Sequence, residues 1–218
     1  MCVCHPRICN WECTWPIDHD DGSQEYTDTH NFLWYGGAKN FLGRNKASLH
    51  NIYVDPDGKP SEGAWAAADR SGPTSGASCA NNDGSIALGR GGHGGSGYNE
   101  TWSHNRCIMR SSNHTVYAFG QTGDGPQVHT DPDTCDSKIF DNTDANSFFA
   151  PGGRVLVQCT RDANASETWT LQEWQALAPA NDGEGPLVKR DRGSTVAERP
   201  STNQIMAWGA ELLRGGPT

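Results

Sequence analysis

The chain has 218 residues, with 26 Gly, 12 Pro, a hydrophobic fraction of 34% and a mean hydropathy of −0.70. Such a composition favours many turns and few long helices within one domain. The net charge of −9 and pI near 5.2 argue against a nucleic-acid backbone or an anionic membrane surface as partner, while leaving room for an acidic sugar in a local basic pocket. There is no apolar run of the length that spans a bilayer, so no membrane insertion is expected.

In chain order, the opening MCVCHPRICNWEC lacks the apolar core of a signal peptide. Its Cys2, Cys4, His5, Cys9 and Cys13 meet zinc-site spacing only loosely, and disulfides are the preferred reading. The even total of eight cysteines, with Asn-x-Ser/Thr sequons at Asn99, Asn113 and Asn164, fits a secreted or cell-surface protein. The expectation is therefore that the chain is the C-terminal part of a longer exported protein.

The stretch WPIDHDDGS follows, placing Asp18, His19, Asp20 and Asp21 beside Trp15. In an extended segment Asp18 and Asp20 share one face, and His19 and Asp21 the other. Two carboxylates on one face suit Ca²⁺, or let one raise the pKa of the other into the range of a general acid. The competing reading is a polar turn, because Asp and Asn before Gly commonly end strands. Lys39, Arg44 and Lys46 come within the next 30 residues and are suited to clamping a uronate carboxylate.

A phrase then recurs: His30-Asn31-Phe32-Leu33-Trp34, His50-Asn51-Ile52-Tyr53-Val54, His104-Asn105-Arg106-Cys107-Ile108 and, more weakly, Ala145-Asn146-Ser147-Phe148-Phe149. The first two copies are 20 residues apart, close to one coil of a β-solenoid. Each copy reads as a strand entered from a tight turn, too short to bury an apolar face alone and paired in parallel with the coils above and below. Asn at equivalent corners is predicted to stack as an internal ladder, and the preceding His to point outward into solvent. Further strands are predicted at Asn40-Phe41-Leu42, Thr115–Phe119 and Arg154–Val157. Asp55-Pro-Asp57-Gly and Asp131-Pro-Asp133 read as turns, and the Gly-rich segment at about 71–97 as an extruded insertion. Cys79 with Cys107, and Cys135 with Cys159, are the predicted disulfides, although spacing alone leaves the connectivity open.

The last third changes character. Thr170-Leu-Gln-Glu173 is a capping box opening a short helix that Pro179 stops. VKRDRGSTVAERP reads as a charged, loose segment. Ser201-Thr-Asn-Gln204 opens a second helix, with Ile205, Trp208, Leu212 and Leu213 on one apolar face, expected to cap the open end of the solenoid.

Taken together, WPIDHDDGS, NFLWYGGAKNFLG, HNIYV, TLQEWQAL and PSTNQIMAWGAELL resemble the C-terminal part of secreted right-handed parallel β-helix proteins of the pectin-lyase-like superfamily, over roughly residues 10–214. The expected fold is thus all-β: a right-handed parallel β-helix over 1–165 and a helical C-terminal cap and tail over 166–218. The resemblance implies a polysaccharide or cell-wall glycan partner. Lyases and epimerases of this fold act on acidic glycans, and surface proteins of this fold bind glycans without catalysis. For an enzyme, Asp18, His19, Asp20, Asp21 and Lys39 are the catalytic candidates, Trp15, Arg44 and Lys46 the substrate contacts, and Asp18 and Asp20 the ligands for Ca²⁺. A monomer is expected. One resemblance fails: Asp20-Asp21, Gly92-His93-Gly94 and Asn142-Thr143-Asp144 copy polygalacturonase-type motifs, but in permuted order and without Arg-x-Lys.

Overall fold

The computed structural model describes residues 8–10, 17–19, 24–34, 38–40, 45, 47–55, 101–110, 112, 115–120, 143–162, 165–176 and 193–215. They form short strands in mostly parallel sheets, with two helices. The largest sheet has six strands in the order β1 (Ile8–Asn10), β4 (Phe32–Trp34), β7 (Ile52–Val54), β9 (Arg106–Ile108), β12 (Ser147–Ala150) and β15 (Thr195–Glu198). A second has four: β11 (Thr143–Asp144), β8 (Thr101–Ser103), β6 (Ala47–Leu49) and β3 (Thr27–Thr29). The parallel pair β2 (Ile17–His19) and β5 (Ala38–Asn40) forms a third. Between residues 8 and 54 the chain visits the six-, two- and four-stranded sheets in that repeating order, and each return adds a parallel strand beside the previous one. The fourth sheet differs: β10 (Thr115–Gly120) runs parallel to β13 (Leu156–Asp162), but β14 (Ala165–Thr170) returns antiparallel to β13.

Strand pairing is in register, so equivalent residues line up in rows. Leu33, Tyr53, Cys107 and Phe148 form one row of the six-stranded sheet, all buried. Trp102 of β8 meets this row from the four-stranded sheet, its ring centroid 6.4 Å from that of Tyr53 and 6.3 Å from that of Phe148. The two sheets are thereby joined through an aromatic core, with the Tyr53 hydroxyl 2.8 Å from Ser48 Oγ. Burial removes the phenolate's solvation and pushes the Tyr53 pKa up, so this hydroxyl serves as a neutral hydrogen-bonding group.

The corners between the four- and six-stranded sheets are two residues long. His30, His50 and His104 take positive φ of 58°, 56° and 57°, followed each time by Asn. A left-handed residue turns the chain sharply, and His is among the side chains that tolerate it best after Gly, Asn and Asp. The Asn that follows carries the bonding from one corner to the next. Asn51 Oδ1 accepts from the Asn31 N–H at 2.9 Å, Asn105 Oδ1 from the Asn51 N–H at 2.9 Å, and Asn146 Oδ1 from the Asn105 N–H at 3.0 Å. Ser194 Oγ ends the series by accepting from the Asn146 N–H at 2.7 Å. Asn51, Asn105 and Asn146 are buried, and the ladder satisfies backbone N–H groups that a tight corner leaves without sheet partners. The ladder is the arrangement expected from the repeated phrase.

Both helices begin as their sequences direct. Around α1 (Leu171–Ala176) the capping box closes reciprocally, the Glu173 N–H donating to Thr170 Oγ1 at 3.2 Å and the Thr170 N–H to Glu173 Oε2 at 2.7 Å. That backbone bond, with the Thr170 hydroxyl, lowers the Glu173 pKa. Ser201 caps α2 (Thr202–Leu213) by accepting from the Gln204 N–H. The apolar stripe of α2 lies on the face of the six-stranded sheet opposite the aromatic core, where Ile205 and Leu212 pack with Phe32, Ile52, Val54 and Ile108. The helix thus covers a face of the six-stranded sheet, where the sequence led one to expect it over an open end. Arg106, on the same face, sits 4.7 Å over the Trp208 ring.

Close approach sets the residue at 209: a Cβ there would stand 2.8 Å from Phe32 Cε2 and 2.9 Å from Cδ2. Gly209→Val is expected to lower unfolding free energy by about 2 kcal/mol through this clash, read as a reduced urea midpoint with an unchanged slope. An unchanged midpoint would mean that the helix is not seated on Phe32.

One expectation is corrected here. The segment VKRDRGSTVAERP is not wholly loose, because residues 195–198 form β15, paired in parallel with β12. Of the strand expected at 40–42, Asn40 belongs to β5, and Phe41 and Leu42 lie outside the described residues. The expected insertion at 71–97 lies outside the described residues. No helix among the described residues is long and apolar enough to cross a membrane.

Candidate functional site

The acidic stretch begins in β2, which places Asp18 and His19 in a strand, at the register positions of Lys39 and Asn40 in β5. Asp18 and Lys39 are thus neighbours across a parallel pair although 21 residues separate them in the chain. Parallel in-register strands bring paired backbone positions to within about 5 Å. An Asp and a Lys therefore occupy adjacent register positions of this two-stranded sheet.

The remaining acidic candidates, Asp20 and Asp21, and the substrate candidates Trp15, Arg44 and Lys46 lie outside the described residues, as do Cys79 and Cys135. Cys107 is buried and disulfide-bonded, with Sγ 3.2 Å from Met109 Sδ. Cys159 lies in β13, at the register position of Glu167 in β14. Among the described residues no group of three or more His, Cys, Asp or Glu side chains is arranged to hold a metal ion. Asp18 would need Asp20 or another oxygen donor to bind Ca²⁺, a cation that takes six to eight oxygens.

A second feature emerges from the corners. His30, His50 and His104 stack as a row, with ring centroids 5.3 Å apart between the first pair and 5.0 Å between the second, the latter nearly parallel at 5°. His30 and His104 are exposed and His50 is partly covered. Thr29 Oγ1 lies 2.6 Å from His30 Nδ1. Desolvation, followed by the nearby His104 and His30, lowers the His50 pKa from its ordinary value. The sequence marks these residues as outward-facing; the stacking follows from the common left-handed corner and the in-register strands, which aim all three side chains the same way.

Asp55 holds a different surprise. Of the turn expected at Asp55-Pro-Asp57-Gly only Asp55 is among the described residues; it lies in the left-handed region, φ 49°, and its carboxylate is buried and pairs with Arg199 at 2.7 Å. Arg199 also donates to the Met109 carbonyl at 2.7 Å. This contact ties the entry to α2 onto the six-stranded sheet and is structural in character.

No protein-family model, curated protein or solved structure matches the chain.

Proposed function

We propose that the protein is a right-handed parallel β-helix of the pectin-lyase-like kind, exported or displayed at a cell surface, that processes an acidic polysaccharide as a lyase or epimerase. The recurring order of sheets and the Asn ladder support the β-helix reading. The observation that carries the functional reading is the register pairing of Asp18 with Lys39. In this reading Lys39, with Ca²⁺ held by Asp18 and Asp20 or with Arg44 and Lys46, neutralises the uronate carboxylate and so acidifies the proton on the adjacent carbon. One acidic-cluster residue, Asp18, His19, Asp20 or Asp21, takes that proton. In a lyase the released electron pair forms the C4=C5 double bond, the C4–O bond breaks, and the departing oxygen acquires a proton. In an epimerase a proton returns to the opposite face. Trp15 supplies a stacking surface for a sugar ring.

The test is a panel of uronans, with and without Ca²⁺, followed by ultraviolet absorbance of the unsaturated product and by the ratio of uronate epimers. Asp18→Asn is expected to reduce turnover by about 100-fold, and Lys39→Ala to raise KM, with both proteins folded. Turnover indifferent to both substitutions would remove the site.

The same register supports a second reading, a noncatalytic glycan-binding module, because adjacent acidic and basic positions suit recognition of a sugar acid as well as chemistry on it. Saturable uronan binding by wild-type protein without any product under the same conditions would select it.

A further inference from the structure

We propose that the stacked row His30, His50 and His104 is a separate binding track for an acidic glycan, one that engages its ligand more strongly as pH falls. The identity of the ligand rests on the acidic-glycan reading above; the track itself rests on the geometry of the corners.

Three observations carry it. The imidazoles repeat at 5.3 and 5.0 Å, one at each of three successive corners, so up to three cationic groups can line up along one linear polyanion. Their backbone positions are fixed, because each His precedes an Asn locked into the ladder, which lowers the ordering cost of binding. And the stacked rings present their edges in one direction, an arrangement that serves a linear polyanion better than a single ion held at one point.

The charge balance favours such a ligand at acid pH. Two unit charges 5 Å apart repel by about 1 kcal/mol in water and about 3 kcal/mol at an effective dielectric of 20, so charge on a neighbouring imidazole opposes charge on His50. Desolvation, then the nearby His104 and His30, lowers the His50 pKa. An adjacent anion removes the repulsion and favours the imidazolium. The complex then binds more protons than the free protein, and linkage requires affinity to rise as pH drops through the histidine range.

Charged residues of the described strands and corners next to the row have positions or partners of their own. Asp28 belongs to the register row of Ser48 and Trp102, which serves the core. Glu25 accepts from Asn45 Nδ2 at 2.6 Å, and Arg106 lies over Trp208 on the helix-covered face. Asp144 stands beyond His104, with Oδ1 accepting from the Ala145 and Gly193 N–H groups, and marks the end of the track.

The experiment is calorimetric titration with an oligogalacturonate, and with a neutral cello-oligosaccharide as control, at about pH 8 and about pH 5. Wild-type affinity for the acidic oligomer is expected to rise about tenfold at the lower pH. The double variant His50→Gln/His104→Gln, altered at surface positions, should lose that rise, whereas Asp18→Asn should keep it. A pH-independent wild-type affinity, a rise that survives in the double variant, or no binding at either pH would each overturn the track. Turnover that depends on Asp18 alongside any of these results would leave the catalytic reading standing. A histidine-dependent rise without turnover would sustain the track while removing the enzyme.

Discussion

Asn105→Ala is expected to destabilise the protein by about 3 kcal/mol, a fall in Tm of roughly 6–12 °C for a chain of this size. Asn105 is buried, and its side chain works in both directions. Oδ1 accepts from the Asn51 N–H at 2.9 Å, while Nδ2 donates to the Ser48 carbonyl at 2.9 Å and to Asn146 Oδ1 at 3.3 Å. Alanine removes the acceptor from one buried backbone group and the donor from another, and leaves a void too small for adequate solvation. Asn105→Asp separates the hydrogen-bonding role from shape. The carboxylate still accepts from Asn51, but it sets an oxygen against the Ser48 and Asn146 oxygens and buries a charge, so at neutral pH it should be worse than alanine. Burial raises the folded-state pKa of such an Asp above its unfolded value of about 3.9, so the folded protein holds the proton more tightly. Stability of Asn105→Asp should therefore recover, relative to Asn105→Ala, as pH falls through the folded pKa. The lowered His50 pKa acts oppositely: its unfolded state takes up a proton first, so the wild type loses stability as pH falls below about 6.5. Melting curves of the three proteins across this range check both signs. A shift below 2 °C for Asn105→Ala would mean that the ladder is not a principal support.

The ladder was legible because its signal is local and repeated. A corner that needs an amide leaves an Asn before each of the strands β4, β7, β9 and β12, and four such corners are enough to see. The capping box of α1 was legible for the same reason, since all its partners lie within four residues. The four-stranded sheet left little trace. Its strands read TDT, ASL, TWS and TD, with Thr27 and Thr29 exposed and only Trp102 deeply buried, so they are too short and too polar for a period-two pattern to stand out. They are held by main-chain pairing to neighbouring strands. Strand β15 was hidden similarly, because TVAE adds to a sheet whose other strands supply most of the apolar surface. At the candidate site the residue types were readable, and the in-register pairing of β2 with β5 sets Asp18 opposite Lys39. The histidines were readable as outward-facing, but their stacking depends on the strand spacing and a shared corner geometry.

Arg199→Ala is expected to cost about 3 kcal/mol, because its main effect is on the group left behind. The Asp55 carboxylate is 5% exposed on its side chain, and the Arg199 guanidinium spans both its oxygens, at 2.7 and 3.3 Å, while donating to the Met109 carbonyl. Sequence reading saw only a turn at Asp55, since its partner is 144 residues away and lies in a segment rich in other charges. An exposed ion pair of this geometry would contribute under about 1 kcal/mol. Here removal of the cation leaves a carboxylate in a site that water reaches poorly, and the cost follows from that asymmetry. Asp55→Asn in the Arg199→Ala background therefore separates pair energy from burial cost: neutralising the acid should restore a substantial part of the lost stability. Because Arg199 immediately precedes the Pro200-Ser201 entry to α2, the single variant should also increase hydrogen exchange in α2 more than in the Asn ladder. Equal loss of protection in both would place the ion pair in one cooperative unit with the coils, whereas no stability recovery in the double variant would show that the guanidinium acts mainly through Met109.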